Sequence, residues 1–190
     1  MTPGAAKRKG SRYERLTAVR LSRWVSRGKS TSLFWRSSIS GGRATANYRA
    51  SGVVMPEQCG DIISVSPEGM LISRMFHIEC KCRKSLELNK LVFGQKSSLA
   101  LEFWVNTRAA ARMFEKIPLL IMKERWQQDL VIADKAGYIA LRAAGSIPLL
   151  LTIPRFGGYL FTLREMLLTD YKKFRRIHEA TQRETLRDDR

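Results

Sequence analysis

The chain has 190 residues, 44% hydrophobic and 27% charged, enough to bury one ordinary core and of the composition of a soluble folded protein. Thirty-four Lys and Arg against 17 Asp and Glu leave a formal charge of +17. No apolar run approaches the roughly 20 residues of a membrane helix. The basic N-terminus lacks the apolar stretch of a secretory signal, so a cytoplasmic protein without membrane attachment is expected.

The charge is uneven. From Met1 to Pro56 there are 12 basic residues and one acid, Glu14. Such a surplus concentrates polyanions and releases counterions from nucleic acid on binding, which makes nucleic acid the expected partner ahead of an acidic protein or an anionic membrane. Three cysteines, Cys59, Cys80 and Cys82, are too few for a disulfide scaffold. A zinc site from His77, Cys80 and Cys82 has C-x-C spacing and no second cluster, so the cysteines read as buried small hydrophobes.

Residues 1–10 read as a flexible basic arm, and 11–190 as a single domain with a strand and helix extension from about 130. A helix is expected from about Ser11 to Val25, with Ser11 and Glu14 in a capping-box pattern. Ala18, Leu21 and Val25 follow Glu14 at helical spacing, which turns Glu14 toward the core side. Residues 27–60 are rich in Ser, Gly and Arg without a period, as in a functional or mobile connection.

Next, Asp61 to Val65, the turn residues Pro67, Glu68 and Gly69, and the β-rich run from Met70 to Cys82 read as a β-hairpin. A helix follows from about Ser97 to Glu115, with Leu99, Phe103, Ala110, Met113 and Phe114 as core candidates. Ile117 to Met122 reads as a buried strand. Further strands are expected at Leu130–Ala133, Tyr138–Leu141, Pro148–Ile153 and Tyr159–Phe161. A last helix starts at Thr162, capped with Glu165, and carries KKFRR. The order is an α/β pattern around a mixed sheet.

Alternation along the strand puts Glu79 and Lys81 on one face and Ile78, Cys80 and Cys82 on the other. An early residue of one hairpin strand lies near a late residue of the next, so Asp61 and Glu79 are expected to meet. Two carboxylates at one point suit Mg²⁺ or Mn²⁺, which activates water and neutralises charge on a phosphate oxygen. A neighbouring lysine stabilises the transition state or orients the water. An E-x-K alone also describes a cross-strand salt bridge on a solvated face. Arg43 reads as a phosphate contact or a solvated loop charge, and Lys84, just past the strand, as a residue that tracks the DNA backbone. The tryptophans read as packing residues, with Trp35 beside Arg36 the exception to test as a base-stacking platform.

The arrangement G-D-I-I-S-V, a turn, then F-H-I-E-C-K resembles the PD-(D/E)-x-K nuclease superfamily. The segment KGSRYERLTAVRLSRWVSRG is similar to the N-terminal helix of archaeal-type Holliday junction resolvases, with Lys9, Gly10 and Glu14 on that pattern. WRSSISGG resembles the loop in which those enzymes carry an Arg and a Ser near the scissile phosphate, matched by Arg36 and Ser40 and next by Ser38. The resemblance covers about Lys9 to Met122. It departs from the pattern at Gly60, which replaces the usual proline, and in a long segment between Ser40 and Asp61.

The resemblance implies a restriction-endonuclease-like α/β fold, a mixed central sheet flanked by helices, and a Mg²⁺-dependent endodeoxyribonuclease with Mn²⁺ as a substitute. Asp61, Glu79, the Cys80 backbone carbonyl and Glu14 would hold the metal, and Lys81 would assist. Lys9, Arg12, Arg36, Ser40, Arg43 and Lys84 would contact DNA. It further implies branched or junction DNA as substrate, a homodimer, and host cytoplasm if the chain is phage-encoded. The alternatives are a restriction, repair or single-strand nuclease of the same fold, or a non-catalytic basic DNA-binding protein.

Overall fold

The computed structural model describes residues 3–37, 59–95 and 97–188. The first helix, α1, runs from Pro3 to Ser26 and so takes in most of the segment expected as a flexible arm. Proline is tolerated in a first helical turn, and the Ala, Lys and Arg that follow are good helix formers, which carry the helix through Gly10 and past Ser11. Ser11 is therefore an interior residue and not a cap. The helix ends where Gly28, with a φ of +84°, donates its N–H to the Arg23 carbonyl at 2.7 Å.

Strand β1 (Phe34–Arg36) pairs antiparallel with β2 (Ile62–Ser64), with Phe34 opposite Ser64 and Arg36 opposite Ile62. The expected hairpin between β2 and the E-x-K strand is not there. Met70–Met75 is a short helix, α2, and β3 runs from Phe76 to Arg83. MLISRM is apolar enough to read as strand, but long-range hydrogen bonds hold it helical. The Ser64 N–H donates to Ser73 Oγ at 2.7 Å, and Lys116 Nζ donates to the Ser73 carbonyl at 2.5 Å.

After β3 come α3 (Leu88–Val92), α4 (Leu99–Met113) and β4 (Ile117–Glu124). The two helices form the crossover that lets β3 and β4 pair in parallel, from Phe76 opposite Ile117 to Arg83 opposite Glu124. Strands β5 (Asp129–Ala133), β6 (Leu151–Ile153) and β7 (Gly158–Thr162) complete a mixed sheet in the order β3-β4-β5-β7-β6. Between β5 and β6 lies α5 (Lys135–Arg142), where a strand was expected at Tyr138–Leu141. The Asp134 carboxylate caps this helix by accepting from the Gly137 N–H at 2.8 Å. The C-terminal helix starts as expected, with Thr162 accepting from the Glu165 N–H at 3.1 Å, but breaks into α6 (Leu163–Leu168) and α7 (Tyr171–Asp188).

Helices cover both faces of the sheet, and each face has its own core. Leu21 and Trp24 of α1 pack with Ile78, Ile121, Phe161 and Phe174 on one side. Leu101 and Trp104 of α4 pack with Leu120, Met122 and Ile132 on the other. Cys80 lies in the first core and Cys59 is buried. Among the described residues no helix is long and apolar enough to cross a membrane.

Candidate active site

Strand β3 is an edge strand of the sheet, and its free edge is where Asp61 docks. The Asp61 N–H donates to the Ile78 carbonyl at 2.8 Å, and Asp61 Oδ2 accepts from the Cys80 N–H at 2.9 Å. On the side of β1, the Ser37 N–H donates to the Asp61 carbonyl at 2.8 Å. Three backbone groups thus fix a buried carboxylate between β1 and β3. Gly60 makes the approach possible: its φ is +98°, and a Cβ there would stand 2.7 Å from the Ile78 carbonyl oxygen. Proline, locked near −65°, cannot take that conformation, which accounts for Gly60 in its place.

Glu79 and Lys81 project from β3 on the side of α4. Glu79 and Lys81 form an ion pair through Oε1 and Nζ, and Lys81 Nζ lies 3.9 Å from Asp61 Oδ2. The lysine therefore joins the two carboxylates, and its ammonium lies over the Phe103 ring, 5.6 Å from the ring centre. Burial pushes the Asp61 carboxyl up to about 7, and the Glu79 and Glu14 charges push the same way against Lys81 and the Cys80 N–H. Burial works against the Lys81 cation too, but Glu79 and Asp61 outweigh it and raise its pKa. His77, on the same strand face, is buried against Phe114 with neither ring nitrogen hydrogen-bonded among the described residues, and burial pulls its pKa down to about 4.

Glu14 approaches from α1 on the other side of the edge. Its carboxylate pairs with Arg36 Nε, so these two residues tie α1 to β1. They line a cleft of about 370 Å³ together with Lys9, Gly10, Ser11 and the segment Cys80 to Lys84. Lys9 and Lys84, each expected to contact DNA, thus line the same cleft as Lys81. Arg12 is exposed on α1 and outside this lining. Arg36 reaches the cleft engaged with Glu14. Ser38, Ser40 and Arg43 lie outside the described residues. Arg83 and Ser11 also line the cleft; Arg83 follows Lys81 at the strand period of two, a signal the sequence reading passed over.

The oxygens here are hard donors of the kind that Mg²⁺ and Mn²⁺ take. N–H and C=O of one strand residue project to the same edge, so the Cys80 carbonyl faces the free edge that Asp61 occupies. A carboxyl raised by burial and then by neighbouring carboxylates is also one that a cation would relieve. Among the described residues no three His, Cys, Asp or Glu side chains stand close enough together to hold an ion. The reason is visible: Glu79 turns to Lys81 and Glu14 to Arg36. Donor chemistry and charge fit a divalent ion, with two carboxylates held by internal cations.

A mixed sheet flanked by helices, with an aspartate laid against the strand that carries Glu-x-Lys, is the restriction-endonuclease-like architecture of the PD-(D/E)-x-K class. The chain belongs to the family described as "Phage putative PDDEXK endonuclease", whose model matches residues 5–175. The match runs well past Met122 and takes in the sheet's remaining strands and the start of α7. No curated protein and no solved structure matches the chain.

Proposed function

We propose that the protein is a metal-dependent endodeoxyribonuclease acting in the cleft between α1 and β3, with branched DNA as its substrate and a homodimer as its working form. The observation that carries this reading is Asp61, a buried carboxylate fixed by three backbone hydrogen bonds against the strand that presents Glu79 and Lys81. Asp61, Glu79, the Cys80 carbonyl and Glu14 would hold Mg²⁺, or Mn²⁺ in its place. The ion would supply an activated water and neutralise charge growing on a phosphate oxygen.

The remaining work falls to the chain itself. Lys81, paired with Glu79 and 3.9 Å from Asp61 Oδ2, is the cation placed to stabilise negative charge on the phosphate in the transition state. Glu79 and Glu14 would turn to the ion, and Lys81 and Arg36, which pair with them here, also border the cleft on the substrate side. Lys9, Arg83 and Lys84 around the cleft take the flanking phosphates, contacts that position DNA without reading its sequence. Junction preference and the dimer rest on the resemblance to junction resolvases, because cutting two opposed strands calls for paired sites. The family match to residue 175 supports treating the strands and helices beyond about 130 as part of one nuclease unit.

The test is cleavage of labelled linear duplex, single strand, flap and four-way junction with Mg²⁺ and with Mn²⁺. Symmetric nicks across the junction are expected. Cutting of the other substrates alone would keep the nuclease and discard the junction. Folded, DNA-binding protein that cuts none of them would contradict the whole reading.

A further inference from the structure

Trp35 is 62% exposed at the centre of β1, next to a fully buried Phe34. Strand alternation sends Phe34 inward and Trp35 outward, which leaves an indole facing water. The ring borders a groove of about 450 Å³ whose lining includes Arg15, Val19, Thr31, Phe34, Trp35 and Arg36. Arg36 also lines the catalytic cleft, so groove and cleft meet at that residue. Arg15 is exposed on the α1 wall of the groove.

A flat aromatic face, a guanidinium beside it and an opening into a site for phosphodiesters are the parts of a single-strand binding surface. Stacking on an aromatic ring tolerates every base, since each has a π-face, while arginine handles the adjoining phosphate. A base inside an intact duplex offers no free face, because its neighbours cover both.

We propose that this groove is a subsite for an unpaired nucleobase of the DNA strand entering the cleft, stacked on Trp35 with its phosphate against Arg15. The proposal rests on the nuclease reading only for the place of the scissile bond. It narrows the branched substrate to DNA with unpaired nucleotides next to the cut, such as a flap or a junction opened at its branch point.

Binding is measured on the full chain in chelator, so that cleavage plays no part, with a single-stranded oligonucleotide and a blunt duplex of the same sequence. Trp35→Ala is expected to weaken single-strand binding roughly tenfold, within the range for one lost stack, and duplex binding less than twofold. Trp35→Phe is expected to keep most of the affinity. A 2-aminopurine base in the oligonucleotide should be quenched by wild type and not by Trp35→Ala. Unchanged single-strand binding in Trp35→Ala would overturn the proposal, as would an equal loss on duplex and single strand. Wild type that cuts no DNA would sink the proposed function and leave this result standing.

Discussion

Asp61 holds its charge at a cost that the fold imposes for the sake of position. The ordinary carboxyl pKa of 3.8 is pushed up to about 7, first by burial and then by Glu79. A group whose folded pKa lies above its unfolded one contributes stability that is present below about 3.8 and lost as pH rises through about 7. Metal-free protein should therefore lose stability between pH 4 and pH 8. Asp61→Asn, which keeps an oxygen for the Cys80 N–H, should abolish cleavage yet raise stability at pH 8 by about 2 kcal/mol, read by thermal or denaturant unfolding in chelator. A variant no more stable than wild type at pH 8 would show that Asp61 carries no such strain. Gly60→Ala is the complementary change. Its Cβ would collide with the Ile78 carbonyl at a φ of +98°, so a loss of about 2 kcal/mol and of most cleavage is expected. The sequence leads one to expect that Asp61 meets Glu79 through a β-hairpin; the two are neighbours for another reason, the docking of Asp61 on the free edge of β3. The pairing of Arg36 with Glu14 was not legible, since the choice of partner across 22 residues is made by how α1 packs on β1.

At the level of elements, α4 and β4 lie where local signals put them. Yet α4 buries Ala100, Leu101, Trp104, Thr107 and Ala111, while the expected core residues Leu99, Phe103, Ala110 and Met113 are half-buried. Ser98 caps α4 by accepting from the Leu101 N–H at 3.1 Å, and β4 is buried on both faces, so IPLLIM needs no alternation. The run from Met70 to Met75 misled because short apolar segments carry no decisive period, and its helix depends on Ser64 and Lys116, remote in sequence. The Tyr138–Leu141 error was avoidable: Asp134 with Gly137 three residues on is a cap signal ahead of that segment. Trp104 is the residue on which α4 and the second core depend. It is fully buried and its indole N–H donates to the Phe156 carbonyl at 2.9 Å. Trp104→Ala should cost about 3–5 kcal/mol, measured by denaturant unfolding, while any folded protein retains its requirement for metal. A cost under about 1 kcal/mol would mean that α4 does not anchor the sheet face that carries Glu79 and Lys81.

Across the whole molecule the excess of +17 sets how DNA is held before any chemistry begins. If Lys9, Arg12, Arg83 and Lys84 each neutralise one phosphate, the affinity for duplex should fall roughly 100-fold between 50 and 200 mM salt. Asp61→Asn should show the same slope, because in the proposed site the carboxylate would hold the metal and would not contact the DNA backbone. A flat salt response would remove electrostatics as the source of affinity. The general chemistry of this surface was readable from composition, but which cations gather at one cleft follows only from the placing of α1 against the edge of β3.

The most direct measurement compares cleavage by wild type, Glu79→Gln and Lys81→Met on the substrate that wild type cuts best, with DNA binding checked for each. Metal-dependent cutting by wild type, reduced by at least about 100-fold in both variants with binding retained, is the outcome the carboxylate–lysine site requires. Variants that bind and cut like wild type would place the chemistry elsewhere and contradict the account.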